Sequence, residues 1–150
     1  MLTEIRAFAD LCTVCADVLN ALVCWALENR GAMLRVIGGT GDPASRIENR
    51  VGEPTANPYL YIASQLIAGR AGIAENADPG EAVRAAYLSD RPLLPSNLLE
   101  ALSAFKMSDR LHDELGGSFH NYFCMLKQFE INRFMSEVTD WEEREYFEMY

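Results

Sequence analysis

Arg46, Glu48 and Arg50 occupy alternate positions of the run RIENR, with Ile47 and Val51 as its apolar residues. Alternation of this kind predicts a half-buried strand on which the three charged side chains share one face. Same-face neighbours on a strand stand about 6.6 Å apart, twice the rise of about 3.3 Å per residue. The face therefore reads plus, minus, plus. A carboxylate so placed can hold a hard divalent cation such as Mg²⁺, which prefers oxygen ligands and bridges protein to phosphate. The guanidiniums beside it can take phosphate or carboxylate oxygens two at a time. Phosphoryl transfer needs both, because its catalysis is mostly positioning and the neutralisation of spreading negative charge. The same alternation also describes an exposed strand whose charges simply pair with one another.

The segments on either side must place that face. Residues 32–37, AMLRVI, are apolar and β-favouring, and GGTGDPAS after them is a turn cluster. Strands over 32–37 and 45–51 would pair as an antiparallel hairpin with a long loop. Gly38-Gly39-Thr40-Gly41 lacks the Lys-Ser/Thr of a phosphate-binding P-loop and has no helix start directly after it, so it reads as a turn. Asn57-Pro58 opens a helix, Asn as cap and Pro at the first helical position, running to Gly69 or Ile73 with Leu60, Ala63 and Ile67 inward. Its apolar bulk would fasten the arginine strand to the core, and packing is the better role for Tyr59 and Tyr61.

Residues 74–95 are rich in Pro, Gly, Asp and Asn and read as a long loop. Ser96 caps a helix through Phe105, with Leu98, Leu99 and Leu102 on one side, and Ser108 caps a short one through Leu115. After Gly116-Gly117 a helix from Phe119 to about Glu137 follows, and Thr139 with Glu142 forms a capping box for the last. At the other end, Leu2, Ile5, Phe8, Leu11, Cys15, Val18 and Leu22 recur at helical intervals and predict a helix over residues 2–27, with Thr3 as its cap.

Composition narrows the function. The 150 residues carry a net charge of −9, which argues against nucleic-acid binding because phosphate neutralisation needs a basic surface. The window from Arg30 to Arg50 is the exception, with four arginines against Asp42 and Glu48 and so a net +2. A local focus of this kind draws in small anions. No apolar run reaches the length of about 18 residues that a membrane span needs, and Glu4 and Asp10 fall where a secretory leader would be basic and then apolar. These readings predict a cytoplasmic protein. Cys12-x-x-Cys15 has no second cysteine pair or nearby histidine, and His112 and His120 form no ligand spacing, so all are assigned to packing or surface.

Taken in order, Asn29-Arg30, Arg35, the Arg46-x-Glu48-x-Arg50 strand and the Ala56-Asn57-Pro58-Tyr59 helix start resemble the C-terminal part of the glutamine synthetase family of ATP-dependent glutamate–ammonia and glutamate–amine ligases. The likeness runs from about Trp25 to the end, through PLLPSNLLEAL and the tail VTDWEEREYFEMY. It fails over residues 1–24, where the family carries an extended segment with further substrate-binding residues.

The resemblance implies an α+β fold, a short antiparallel β-hairpin packed against several helices, forming part of a glutamine synthetase-type catalytic domain. It implies ligation of glutamate with ammonia, or with another amine, through γ-glutamyl phosphate. ATP would be the co-substrate and Mg²⁺ or Mn²⁺ the cofactor. By resemblance Arg30 is the catalytic arginine near both glutamate and the ATP phosphates. Arg35 and Arg46 are nucleotide contacts, Glu48 is a metal ligand and Arg50 holds glutamate. In some bacterial members a tyrosine of the long loop is nucleotidylated; Tyr87 falls near that place in surroundings that match poorly. Full-length members are homo-oligomers about three times as long, and their remaining part supplies a small β-domain, other metal ligands and a neighbouring subunit's side of the site. An isolated chain of this length is therefore expected to be catalytically incompetent, and a non-catalytic fragment keeping nucleotide or oligomer contacts is the other reading.

Overall fold

Apolar residues on both sides of Arg35 make the LRVI segment a strand, and the charges of RIEN alternate against it. In the computed structural model, which describes residues 23–52, 56–88, 90–147 and 149, three strands form: β1 (Trp25–Leu27), β2 (Leu34–Ile37) and β3 (Arg46–Asn49). They lie in the order β1-β2-β3. β2 and β3 are the expected antiparallel hairpin, with Arg35 opposite Glu48 and Ile37 opposite Arg46. β1 is an addition to it and runs parallel to β2, with Ala26 opposite Arg35.

β1 corrects the helix expected over residues 2–27. That helix and its Thr3 cap lie, through residue 22, outside the described residues, and its last turn is strand instead. A strand here is decided by partners distant in sequence: the Leu34 amide donates to the Cys24 carbonyl at 3.1 Å, and the Val83 amide to Trp25 at 2.9 Å. The link back to β2 is short. Glu28 takes a left-handed backbone, φ 51°, and the Asn29 carboxamide oxygen accepts from the Gly31 amide at 2.9 Å. A non-glycine residue with positive φ is uncommon and marks a position its surroundings over-determine.

Among the described residues after Ala74, the expected loop is mostly without regular structure and contains a 3-10 turn, Ala86–Leu88. It wraps the β1 side of the sheet. Trp25 Nε1 donates to the Gly80 carbonyl at 3.0 Å, Asn29 Nδ2 to that of Arg84 at 3.1 Å, and Ala86 is buried with Cys24, Ala26 and Ala32. Tyr87 lies against Gly31, where a Cβ would come within 2.8 Å of its ring.

The first helix, α1, spans Pro58–Ala74 with Asn57 as cap and Pro at its start. It braces the hairpin as anticipated. Met33, Val51 and Ala68 share a buried cluster, Asn49 Nδ2 donates to Gln65 Oε1 at 3.0 Å, and Gly52 lies under the Tyr61 ring where no Cβ fits. Ile47, expected to help bury the strand, is 69% exposed, so Val51 and Asn49 make that attachment. Four more helices follow: α2 (Leu98–Lys106), α3 (Asp109–Leu115), α4 (Gly117–Met135) and α5 (Asp140–Tyr146). Their core is Leu102, Phe105, Leu111, Cys124 and Ile131, with Leu60 and Ile67 of α1 packed against it.

The caps were mostly legible. Ser108 caps α3, and Thr139 and Glu142 form the capping box of α5. At α2 the cap is Asn97 rather than Ser96, because its side chain accepts from the Glu100 amide, while Ser96 donates to the Glu100 carboxylate instead. Leu99, expected inward, is exposed. His120 is a core residue, bonded to the Phe105 carbonyl at 3.0 Å and stacked on the Phe105 ring. Burial pushes the neighbouring Cys124 thiol up from its ordinary value. Cys12 and Cys15 lie outside the described residues.

Asn57 satisfies two free amides at the start of α1, those of Tyr59 and Leu60. Asn57→Ala should lower unfolding stability by about 1 kcal/mol, with Asn57→Asp close to wild type. Urea titrations of the three proteins measure this; equal midpoints for Ala and Asn would show that the cap contributes nothing.

Candidate functional site

The site begins with register. Because Arg35 and Glu48 are cross-strand partners, their side chains leave the same face of the hairpin, and Glu48 also shares that face with Arg50 two residues on. Glu48 Oε2 meets Arg35 Nη1 at 3.3 Å and its Oε1 meets Arg50 Nη1 at 3.0 Å. Arg50 is steadied from behind, its Nε donating to the Arg30 carbonyl at 2.9 Å. On the far side, Arg35 Nη2 meets Glu28 Oε2 at 2.7 Å, and Glu28 Oε1 accepts from the Gly38 amide at 3.2 Å. The result is one continuous row, Glu28–Arg35–Glu48–Arg50, lying across the sheet.

Two groups in the row are covered. The side chain of Arg35 is 16% exposed and that of Arg50 25%, against 38% for Glu48 and 57% for Glu28. Arg35 Nε is buried without a hydrogen-bond partner among the described residues. A guanidinium so placed relies on its two carboxylates to offset lost hydration. Arg35, with Gly38 and a weaker attraction from Arg46 behind it, holds the Glu28 carboxyl below its ordinary value of 4.5.

Of the five residues singled out in the sequence, the structure brings together Arg35, Glu48 and Arg50. Arg30 joins them through its main-chain carbonyl. Arg46 stands at the hairpin's end, exposed, with Nη1 donating to the Ala44 carbonyl at 3.1 Å. One oxygen of Glu48 is taken along the chain by Arg50 and the other across the hairpin by Arg35 on β2, which stands where Arg46 was expected. Glu28 was missed. The available signal was a carboxylate directly before Asn29-Arg30, readable only once Trp25–Leu27 is a strand that brings it beside Arg35.

Beside the row, a cavity of about 430 Å³ is lined by residues 36–40 and 45–47. The Gly38–Ser45 turn forming its wall is tied down: Ser45 Oγ donates to the Gly39 carbonyl at 2.9 Å and the Asp42 amide to the same carbonyl at 3.0 Å. Gly38 has φ 82°, and a Cβ there would come within 2.7 Å of Ser45 Oγ, so glycine is required. For a divalent cation Glu48 offers one carboxylate, facing two guanidiniums. Among the described residues no group of three or more His, Cys, Asp or Glu stands together as a metal-holding set, so a cation at Glu48 needs oxygens that these residues do not supply. No described helix is long and apolar enough to cross a membrane.

The Glu28 carboxyl is held below 4.5 in the folded chain, so its contribution to stability is full above about pH 4.5 and is lost as pH falls through the lowered folded-state value. Glu28→Gln should thus be less stable than wild type at pH 7, with the gap closing at pH 3. Thermal melts of both proteins across that range measure it; a gap independent of pH would show that the Glu28 charge has no part in it.

Residues 18–146 match the family model described as glutamine synthetase, catalytic domain. The γ-glutamylanilide synthase of an Acinetobacter species is 46% identical over 137 residues, which cover 83% of this chain and 27% of that protein. The glutamine synthetase of Rhizobium leguminosarum bv. phaseoli is 36% identical over 126 residues, 80% of this chain and 28% of that protein. Among solved structures, ligand-free GmaS superposes with a TM-score of 0.80 at 27% identity, covering 97% of this chain and 37% of the other. A GmaS/ADP complex gives 0.76 at 28% identity. The chain thus spans between a quarter and two fifths of the length of these relatives. With a family match over most of its residues and a sheet and helices like those of the solved relatives, this chain belongs to the glutamine synthetase catalytic-domain family.

Proposed function

We propose that this chain carries part of an ATP-dependent ligase that joins glutamate to ammonia through γ-glutamyl phosphate. The observation that supports the reading most is the row in which Glu48 bridges Arg35 and Arg50 on one face of the hairpin. Glutamate and ATP are both anions and repel until neutralised; guanidiniums held in place by a shared carboxylate, as Arg35 and Arg50 are by Glu48, are already oriented to do that. In this reading Arg50, anchored by the Arg30 carbonyl, takes a glutamate carboxylate bidentately. Arg35 and Arg46 take nucleotide phosphates; that a nucleotide binds is supported by a solved relative described as an ADP complex. Arg30, whose side chain is exposed, is the candidate for the arginine near both glutamate and the ATP phosphates. Glu48 would be one of the residues holding a Mg²⁺ or Mn²⁺ ion, which would supply Lewis-acid polarisation of the transferred group, with its remaining ligands coming from outside the described residues.

Residues 25–150 form the family-like portion of a partial catalytic domain in this reading, and the protein works in the cytoplasm. A second reading keeps the same chemistry with a different acceptor. A relative named for γ-glutamylanilide shares 46% identity with this chain, against 36% for one named for glutamine, which favours an amine other than ammonia.

Isothermal titration calorimetry with ATP tests the nucleotide assignment. Arg35→Ala should weaken binding about tenfold or more, the loss expected for a charge-assisted hydrogen bond to phosphate; unchanged affinity would remove Arg35 from the site. In a γ-glutamyl transfer assay the purified 150-residue chain should stay at background. Turnover abolished by Glu48→Ala would instead show that the described row suffices for the chemistry.

A further inference from the structure

Glu28 is the one member of the charged row to which the proposed reaction gives no role. Its carboxylate is bound as an incoming oxyanion would be, with one oxygen on the Arg35 guanidinium at 2.7 Å and the other on the Gly38 amide at 3.2 Å. Arg46 adds a weaker attraction. Gly38 and Arg46 also line the 430 Å³ cavity at the hairpin's end. Glu28 has a left-handed backbone and its amide is bonded to the Val36 carbonyl at 2.9 Å, while its side chain reaches Arg35 and the Gly38 amide. The carboxylate itself is more than half exposed, so it can leave for solvent without opening the fold.

We infer that Glu28 is a built-in counter-anion: it fills the oxyanion position between Arg35 and the Gly38 amide, and an incoming phosphate group must displace it. This rests on the nucleotide reading above and adds a residue that sets the affinity of that site. While the position is empty of ligand, Glu28 keeps the covered guanidinium paired and aligned. Against a ligand it competes, so weakly charged anions are refused and a multiply charged phosphate chain is admitted. The expected sign is opposite to that of a structural residue, because removing the charge should strengthen binding.

The test is calorimetric titration of inorganic triphosphate into the 150-residue chain at low ionic strength. Glu28→Gln keeps size but removes the charge and one of the two acceptor oxygens, and should bind about fivefold tighter than wild type, the scale of one exposed ion pair. Glu28→Asp keeps the charge on a side chain too short to span both contacts, and should fall between the two; circular dichroism confirms that each variant folds. Arg35-dependent binding to wild type that is equal or weaker in Glu28→Gln would overturn the inference and leave the nucleotide reading intact. Binding that is absent from wild type and Glu28→Gln alike would overturn both. Should Glu28→Gln fail to fold, binding to Glu28→Asp no tighter than to wild type would overturn the inference.

Discussion

The candidate site depends on one cross-strand pair. Arg35 and Glu48 stand opposite each other because β2 and β3 hold a single register, and a slip of one residue would send the two side chains to opposite faces. Everything else in the row attaches to that pair. Arg50 completes the second oxygen of Glu48, and Glu28 completes the second amine of Arg35. The register is in turn fixed from the other face, where Val51 is buried with Met33 and Ala68, and Asn49 is bonded to Gln65 of α1. Packing on one side of a four-residue hairpin thus decides the chemistry on the other.

The helices serve that attachment. α1 is held at its C-terminal end by ion pairs to α3, Arg110 with Glu75 at 2.6 Å and Arg70 with Glu114. Leu60 and Ile67 join it to the core built around Phe105. Exposed pairs of this kind contribute little individually, so the apolar cluster is the main fastening. The strap of residues 77–92 does the same for β1 through its bonds to Val23, Trp25 and Asn29. Positioning therefore comes from both edges of the sheet.

What could be read from the sequence was what is written locally. The alternation of RIENR, the Asn57-Pro58 start and the Thr139–Glu142 box each depend on neighbours within four residues; the two caps appear as expected, and RIENR forms a strand, though with Ile47 exposed rather than buried. β1 could not be read, since Trp25–Leu27 becomes a strand through partners at Leu34 and Val83. Apolar spacing continued from the residues before it therefore suggested helix. Missing the strand meant missing Glu28, whose part in the row exists only because β1 lies parallel to β2. Arg46 was expected beside Glu48 for a different reason: alternation along one strand is visible in sequence, and the register that sets Arg35 opposite Glu48 is not.

An anion site has to solve a problem before its ligand arrives. Covered guanidiniums without counter-charges would repel one another and draw in water, and the buried Nε of Arg35 shows how little solvent reaches that group. Interleaved carboxylates remove the repulsion and fix each guanidinium in one orientation. Because the carboxylates are themselves the exposed members of the row, their pairing is weak enough to exchange. A row with arginines covered and glutamates open is therefore ordered at rest and still able to trade an internal anion for an external one. Reversing that burial would give a rigid ion-pair network that holds the sheet together and binds nothing.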